Sequence, residues 1–230
     1  MARYAITDIH GCCKTFKQLL ESLDFSKEDQ LYILGDYIDR GPDSKGVIDH
    51  IWKLQKEGHR VECLKGNHEE KMLLARHDVN QCNNWKYWGG KETLESFAVK
   101  NITDIEEAYF TWMEGLPNYL LLDDYVLVHA GLNFKIPDPL VDQVAMRWIR
   151  NWYHETNLDW LEGRVVLHGH TPVSQSTIEG QLKELTNPDT YPSPYLDLDN
   201  GCVYTSRPDH HQLCAFDMDK QQLFFQEYVS

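Results

Sequence analysis

Carboxylates, histidines and an asparagine recur in this sequence directly after short apolar stretches. The densest group is Asp36, Asp39 and Arg40, in a glycine-bounded turn that follows the apolar stretch at 31–34. Similar polar residues end four other apolar stretches, at Asp8 and His10, at Asn67 and His68, at His129, and at His168 and His170. Because α/β proteins bind ligands where the carboxyl ends of parallel strands meet, the repeated pattern indicates one shared site.

The side chains of this set are oxygen and nitrogen donors that suit metal ions. The candidate ligands are Asp8, His10, Asp36, Asn67, His129 and His170. No cysteine lies among them, which excludes a thiolate-rich structural zinc site. Carboxylates, imidazoles and an amide oxygen suit two divalent ions about 3.5–4 Å apart, which polarise a phosphoryl group and activate water. Such ions share one carboxylate, and Asp36 is the candidate for it.

Alternating strand and helix patterns are expected to position these residues. Apolar runs predict strands at about 3–7, 31–35, 61–64, 125–128 and 165–167, and each run precedes one of the polar groups. Apolar residues at helical spacing follow the first two strands, at Phe16, Leu19, Leu20 and Leu23 and at Val47, Ile48, Ile51 and Trp52. This order predicts βαβ units with parallel strands, and hence an α/β protein.

The remaining sequence predicts a helical insertion and a β-rich C-terminal part within a single domain of residues 1–230. Residues 79–116 form the expected insertion, whose aromatic loop 83–90 either faces the substrate or builds a small core of its own. Residues 173–230 are expected to be mainly antiparallel β, with strands at 201–204, 211–216 and 222–228. The proline-rich segment 186–194 is a second candidate for substrate specificity.

The composition argues against several classes of partner. The net charge is −14, with 36 acidic against 22 basic residues, and the sequence has no cluster of lysine and arginine. We therefore expect no nucleic-acid partner, because binding to phosphate backbones depends on basic surfaces. We also expect no membrane partner, since no apolar stretch approaches the length of a membrane span. The N-terminus enters a strand-like stretch at once, without a signal peptide, so a cytoplasmic location is expected.

The motifs around the candidate ligands resemble those of the calcineurin-like metallophosphoesterases. They are Asp8-x-His10, Gly35-Asp36-x-x-Asp39-Arg40-Gly41, Gly66-Asn67-His68-Glu69, His129-Ala130-Gly131 and Gly169-His170-Thr171, in the family order. Within the family, the sequence resembles the bacterial and phage type of serine/threonine phosphoprotein phosphatase. The resemblance implies a four-layer αββα sandwich, in which helices flank two mixed β-sheets and the metals lie at the carboxyl ends of strands.

The resemblance also implies a role for each site residue. The first metal takes Asp8, His10 and Asp36, and the second takes Asp36, Asn67, His129 and His170, with Mn²⁺ as the expected ion and iron or zinc as alternatives. A hydroxide that bridges the metals attacks phosphorus directly. His68, oriented by Asp39, is the implied general acid. Arg40 and Arg150 are the implied phosphate-binding residues, with Arg147 as the alternative to Arg150.

The resemblance implies a phosphoprotein or phosphopeptide as substrate. The expected enzyme is a metal-dependent protein serine/threonine phosphatase, with phosphotyrosine as a further candidate substrate. The alternative is a hydrolase of dinucleoside tetraphosphates that uses the same metal site. Asp39 and Glu69 favour the phosphatase, because the diadenosine tetraphosphatase branch tends to carry other residues at both positions. The acidic charge disfavours a nuclease, and the complete set of ligands disfavours a non-catalytic binding module.

Overall fold

The computed structural model describes residues 1–187 and 194–229. Its strands are β1 (Arg3–Ile6), β2 (Gln30–Ile33), β3 (Arg60–Cys63), β4 (Tyr119–Leu121), β5 (Tyr125–Val128), β6 (Val165–His168), β7 (Tyr195–Asp197), β8 (Gln212–Asp217) and β9 (Gln222–Glu227). Its α-helices are α1 (Cys13–Ser22), α2 (Ser44–Lys56), α3 (Asn67–Ala75), α4 (Val79–Trp85), α5 (Lys91–Ser96), α6 (Glu107–Gly115), α7 (Gln143–Trp148), α8 (Leu158–Leu161) and α9 (Gln175–Thr186). A π-helical turn, Lys86–Gly90, joins α4 to α5.

The strands form two mixed sheets. One sheet has the order β3-β2-β1-β8-β9, in which β1, β2 and β3 are parallel and β8 is antiparallel to β1. The other has the order β4-β5-β6-β7, in which β5, β6 and β7 are parallel. The predicted architecture, two mixed sheets flanked by helices, is confirmed. The carboxyl ends of β1, β2, β3, β5 and β6 therefore all lead into the polar turns singled out above.

A core between the two sheets holds them together. Tyr32 and Phe216 come from the first sheet, and Leu127, Leu167 and Leu196 come from the second. A second core packs α1 and α2 onto the outer face of the first sheet. Each fully buried leucine stabilises such a core by about 1.5–3 kcal/mol. Among the described residues, no helix combines the length and the apolar character that crossing a bilayer requires.

Part of the prediction for residues 173–230 is wrong. Helix α9 lies where no helix is predicted, and β7 pairs with β6 in a parallel rather than an antiparallel register. Ser174 caps α9 by accepting a hydrogen bond from the Thr177 N–H, but Ile178 is the one buried residue of this helix, so its sequence lacks an apolar stripe. In the proline-rich segment, residues 188–193 lie outside the described residues.

The strand predicted at 201–204 is instead a turn. Gly201 has φ +68°, and its N–H donates to the Asp199 carboxylate at 2.8 Å. The Tyr204 N–H then donates to the Gly201 carbonyl at 2.8 Å. A left-handed glycine with a carboxylate on its N–H favours a turn over an extended strand. The two other predicted strands of this region are present as the antiparallel pair of β8 and β9.

Candidate metal centre

The turns after β1 and β2 interlock at the edge of the first sheet. The His10 N–H donates to the Asp36 carbonyl at 2.9 Å, and the Gly11 N–H donates to the Tyr37 carbonyl at 2.9 Å. A Cβ on Gly41 would lie 2.0 Å from the His10 carbonyl oxygen, so only glycine fits there. The backbone thus fixes the positions of the side chains on both turns relative to each other.

Several site residues have a left-handed backbone although they are not glycines. They are Asp8 (φ +51°), His10 (+45°), Asp36 (+55°), Asp39 (+73°), Arg40 (+70°) and His170 (+75°). Positive φ is uncommon for residues with a Cβ, and each instance costs about 1–3 kcal/mol. Such strain persists where the surrounding structure imposes it, and it clusters at functional sites. Its concentration in these turns marks the same residues that the sequence motifs select.

The site spans both sheets. His129 follows β5 and His170 follows β6, whereas Asp8 follows β1 of the other sheet. The His170 N–H donates to Asp8 Oδ2 at 3.0 Å, and the Thr7 hydroxyl donates to the same oxygen at 2.7 Å. The Gly169 N–H donates to the His129 carbonyl at 2.8 Å. These bonds bring ligand-type side chains of the two sheets into one buried group.

The buried side chains form two groups that share Asp36. In each group, one ligand atom per residue lies within 4.8 Å of the others: His10, Asp36 and His68 in the first, and Asp36, His129 and His170 in the second. The Asp36 carboxylate faces both groups, with Oδ2 3.5 Å from His10 Nε2 and Oδ1 3.5 Å from His129 Nε2. A carboxylate with one oxygen toward each group is the arrangement that two ions sharing a ligand require.

Asp8 and Asn67 lie beside these groups. Asp8 Oδ1 is 3.7 Å from His10 Nε2, so Asp8 borders the first group. The third member of that group, beside His10 and Asp36, is His68 and not Asp8. Asn67 Oδ1 lies 3.0 Å from His129 Nε2 and 3.0 Å from His170 Nδ1, at the centre of the second group. All six candidate ligands named from the sequence are therefore buried within one site.

Hydrogen bonds and burial prepare the histidines to act as ligands. His10 Nδ1 lies 2.8 Å from the Ile38 carbonyl and His129 Nδ1 lies 2.9 Å from the Leu34 carbonyl, so each ring donates through Nδ1–H and leaves Nε2 free to coordinate. Burial and the Arg40 charge hold the pKa of His10 well below its usual value. Burial and His129 lower the pKa of His170 to about 2. A neutral imidazole is the form that binds a metal.

The two aspartates complete a site that fits cations. Burial and the charge of Asp36 raise the pKa of Asp8, although His129 opposes them. Burial also acts to raise the pKa of Asp36, but His129, His68 and His10 outweigh it and hold this pKa below its usual value. Two acids buried together are costly unless positive charge compensates them. The donor set and its burial therefore fit divalent metal ions.

His68 is held by a network that the sequence does not reveal. Its Nδ1 lies 2.7 Å from Asp39 Oδ2. The Asp39 carboxylate also accepts from Trp85 Nε1 at 3.0 Å and from the Thr93 hydroxyl at 2.7 Å. Trp85 and Thr93 belong to the helices of the 79–116 region, so this region fixes Asp39 and, through it, the ring of His68. The one feature of the sequence that could have suggested the bond to Asp39 is a polar residue, Thr93, close to the aromatic loop.

Glu69 supports the backbone of the site. Its carboxylate accepts hydrogen bonds from the N–H groups of Asp36 at 3.0 Å, Tyr37 at 2.9 Å and Gly66 at 2.9 Å. The bond to Gly66 closes the first turn of α3, which begins at Asn67. Glu69 is fully buried, so it holds the two turns together.

The three candidate arginines have different surroundings. Arg40 is half-buried, and its guanidinium lies beside His10 Nε2 and 2.8 Å from His68 Nε2. Arg147 is buried and forms an ion pair with Glu70 at 2.6 Å. Arg150 is exposed and donates to the Thr171 hydroxyl, next to His170. Of the two alternatives, Arg150 has the side chain that is open to solvent beside the site.

Comparison with known proteins assigns the family. A family model described as calcineurin-like phosphoesterase matches residues 1–203. The chain is a calcineurin-like phosphoesterase. It is therefore a hydrolase of the metallophosphoesterase family, as the motifs predict.

The relatives of this phosphoesterase include two proteins named "Bis(5'-nucleosyl)-tetraphosphatase, symmetrical". The one from Buchnera aphidicola subsp. Schizaphis graminum is 39% identical over 59% of this chain and 46% of its own length. The one from Buchnera aphidicola subsp. Acyrthosiphon pisum (strain Tuc7) is 36% identical over 70% of this chain and 59% of its own length. This phosphoesterase thus spans only about half the length of the curated relatives it matches.

A solved structure confirms the fold. It is provisionally described as that of a diadenosine tetraphosphatase, and it superposes with a TM-score of 0.63 at 19% identity, covering 99% of this phosphoesterase and 94% of that chain. At this identity the likeness concerns the fold alone. It supports the sandwich of two sheets described above.

The expected activity on phosphoserine and phosphothreonine is contradicted by these relatives, whose names are those of tetraphosphatases. The structure explains the error. Asp39 and Glu69 favour the protein phosphatase in the sequence argument, but Asp39 is bonded to His68, Trp85 and Thr93, and Glu69 is bonded to three backbone N–H groups. Both carboxylates are engaged in bonds within the site, so their identity reflects how the site is built.

Proposed function

We propose that this phosphoesterase hydrolyses dinucleoside tetraphosphates such as diadenosine tetraphosphate. Cleavage in the middle of the tetraphosphate releases two nucleoside diphosphates. The names of the relatives at 36% and 39% identity support this substrate. The observation that carries the chemistry is the Asp36 carboxylate, which directs one oxygen toward each of two buried groups of donors.

The residues of the two groups suit two divalent cations. The first would be held by Asp8, His10 and Asp36, and the second by Asp36, Asn67, His129 and His170. Mn²⁺ is the proposed ion, and the nitrogen and oxygen donors also admit iron or zinc. When bound, such cations polarise the phosphoryl group and lower the pKa of water.

The residues around the metal centre bind the substrate and move a proton. Arg40 lies beside His10 and His68, Arg150 lies beside Thr171, and both would hold the phosphate oxygens through their guanidinium N–H groups. His68 would donate the proton of Nε2 to the oxygen that leaves with the departing diphosphate. Asp39 is a positioning residue, because it fixes the ring of His68 through Nδ1.

The test compares substrates under identical metal loading. The protein is stripped of metal, supplied with Mn²⁺ and assayed on diadenosine tetraphosphate and on a phosphoserine peptide. We expect a higher kcat/KM on the dinucleotide, with ADP as the sole nucleotide product. Asp36→Asn should lose the activity, whereas Asp49→Asn, at a partly exposed residue that pairs with Lys45, should keep it. A higher kcat/KM on the peptide, or release of ATP and AMP, would overturn the proposal.

A further inference from the structure

A cleft opens beside Arg40, outside the metal centre. Its volume is about 440 Å³. The turn Lys86–Gly90 and the start of α5 line one side, and Val203 and Tyr204 line the other. Arg40 lines the cleft and also reaches His68 Nε2 at 2.8 Å. The cleft is therefore continuous with the proposed phosphate site.

The first wall of the cleft is fixed to Arg40. The Arg40 N–H donates to the Gly89 carbonyl at 3.1 Å. Gly89 has φ +115°, and a Cβ on it would lie 2.5 Å from the Arg40 nitrogen, so the two backbones are in direct contact. Only glycine allows this approach. The turn is consequently held against the backbone of Arg40.

Trp88 on this wall is exposed but held in place. Its side chain is 47% exposed, which is unusual for so large an apolar group and is typical of binding surfaces. Its Nε1 donates to Asn84 Oδ1 at 3.1 Å, and Lys71 Nζ lies 4.6 Å from the centre of its ring. Trp85, three residues earlier, is buried against Asp39 instead. Trp85 thus contributes to a core, as one of the two alternatives for the aromatic loop expects, whereas Trp88 lies at the surface.

The opposite wall adds a second aromatic ring and positive charge. The Arg40 guanidinium lies 5.7 Å and that of Arg207 lies 4.5 Å from the centre of the Tyr204 ring, contacts that hold the ring by cation–π attraction. Lys86 and Lys91 also line the cleft, together with one acid, Glu92, so that with Arg40 the lining carries three cations against one anion. In a chain of net charge −14, this local positive charge suits an anionic ligand that carries a flat ring.

We propose that the cleft binds one nucleoside of the dinucleoside tetraphosphate, with the base stacked on Trp88 and Tyr204 and the outer phosphate near Lys86 and Lys91. The proposal rests on the proposed function. Cleavage in the middle leaves two phosphates and one nucleoside on each side of the reacting bond, so the half of the substrate that extends past Arg40 must occupy a neighbouring space. Aromatic rings stack on the π face of any base, so such a site would accept nucleosides with different bases.

The experiment measures how strongly the nucleoside contributes to recognition. Inorganic tetraphosphate keeps the phosphate chain and lacks both nucleosides, so the kcat/KM for diadenosine tetraphosphate divided by that for tetraphosphate reports the contribution of the bases. Loss of a stacking ring by Trp88→Ala should lower this ratio about 10-fold. Trp160→Ala is the matched control, because Trp160 packs on Phe134 and does not line the cleft. It should leave the ratio unchanged.

Two substitutions of similar volume separate stacking from packing. Trp88→Phe keeps an aromatic face, so its ratio should stay close to that of the wild type. Trp88→Leu keeps an apolar side chain without that face, so its ratio should fall as in Trp88→Ala. Equal ratios for Trp88→Phe, Trp88→Leu and Trp160→Ala would overturn the nucleoside cleft. A wild-type ratio near one would overturn the nucleoside cleft as well. No hydrolysis of diadenosine tetraphosphate by the wild type is a different result, since it would overturn the proposed function itself.

Discussion

The role proposed for His68 depends on how basic the departing oxygen is. The Asp39 carboxylate accepts from Nδ1–H and orients the ring, so Nε2 is the atom that would donate a proton. A departing diphosphate is a weak base and needs this proton less than an alkoxide does. The same residue should therefore matter to a different degree for different phosphate compounds.

A series of leaving groups tests this role. For His68→Asn we expect a loss of kcat of about 10²–10⁴ on an alkyl phosphate and a much smaller loss on p-nitrophenyl phosphate and on diadenosine tetraphosphate. The measurement is steady-state turnover with Mn²⁺, and His154→Asn, at an exposed histidine, is the control. The general-acid role is wrong if the loss is the same on all three substrates.

Local sequence predicts the candidate ligands better than it predicts their supports. Each ligand follows its strand within a few positions, so an apolar stretch with a histidine or an acid after it is enough to find it. Trp85 and Thr93 lie 46 and 54 positions from Asp39, and no local pattern links residues at that distance. The substrate prediction was wrong for a related reason, because Asp39 and Glu69, on which it relied, bond to distant groups within the site.

The turn between β3 and α3 shows how an element limits a site residue. Gly66 has an ordinary φ of −90°, but a Cβ there would lie 2.1 Å from Asp36 Oδ1 and 2.4 Å from the Asp36 nitrogen. Gly180, in α9, has nothing within 4 Å of the position of such a Cβ. The two glycines therefore offer opposite outcomes for the same substitution.

We expect Gly66→Ala to displace Asp36 and to lower metal affinity by more than about 10-fold, since even residues that only orient ligands have effects of this size. Gly180→Ala should stabilise the protein by about 0.5–1 kcal/mol, because alanine favours a helix over glycine. Bound Mn²⁺ per chain and urea unfolding measure the two effects. Full metal content in Gly66→Ala would show that the turn can move away from Asp36.

His50, on α2 where it packs against α1, makes stability depend on pH. Burial and the charges of Lys17 and Lys53 lower the pKa of His50 to about 4, while Glu57 opposes the shift and His59 adds to it. The unfolded chain binds a proton near pH 6.5, so between that pH and about 4 the unfolded state holds more protons. Stability should therefore fall as the pH drops through this window.

We expect the free energy of unfolding to fall by about 1–2 kcal/mol, a value reduced because solvent screens the charges around this half-buried residue. Urea unfolding at about pH 7.5 and about pH 5, compared between the wild type and His50→Gln, isolates the effect because the other histidines contribute equally to both. The wild type should lose more stability than the variant. An equal loss in the two proteins would rule out His50 as the cause.

The elements that sequence predicts well are those with a buried apolar pattern. Strands β5 and β6, which precede His129 and His170, are nearly continuous apolar runs, as expected for parallel strands covered on both faces, whereas β3 alternates between exposed and buried residues. Helix α9 escapes prediction because Ile178 alone is buried in it. The turn at Gly201 escapes it because the deciding contact is a side-chain bond from Asp199, which periodicity does not register.

At the scale of the whole molecule, the metal centre lies where the two sheets meet. Asp8 and Asp36 come from one sheet and His129 and His170 from the other, and all four are buried. Ions that bind them bind the folded state only, since the unfolded chain does not hold these residues together. Metal binding should consequently stabilise the junction between the sheets as well as permit catalysis.

Removal of metal should therefore lower the melting temperature of the wild type. At a Mn²⁺ concentration about 1,000-fold above its Kd, binding to the folded state contributes about 4 kcal/mol, which for a chain of 230 residues is a shift of about 8–16 °C. Thermal unfolding with Mn²⁺ and with excess chelator measures this shift. Asp36→Asn loses the ligand that both groups share, so its melting temperature should change by less than about 2 °C between the two conditions. A shift of the same size in Asp36→Asn would mean that the stabilising ions bind elsewhere. The absence of a shift in the wild type would mean that metal binding does not stabilise the junction between the two sheets.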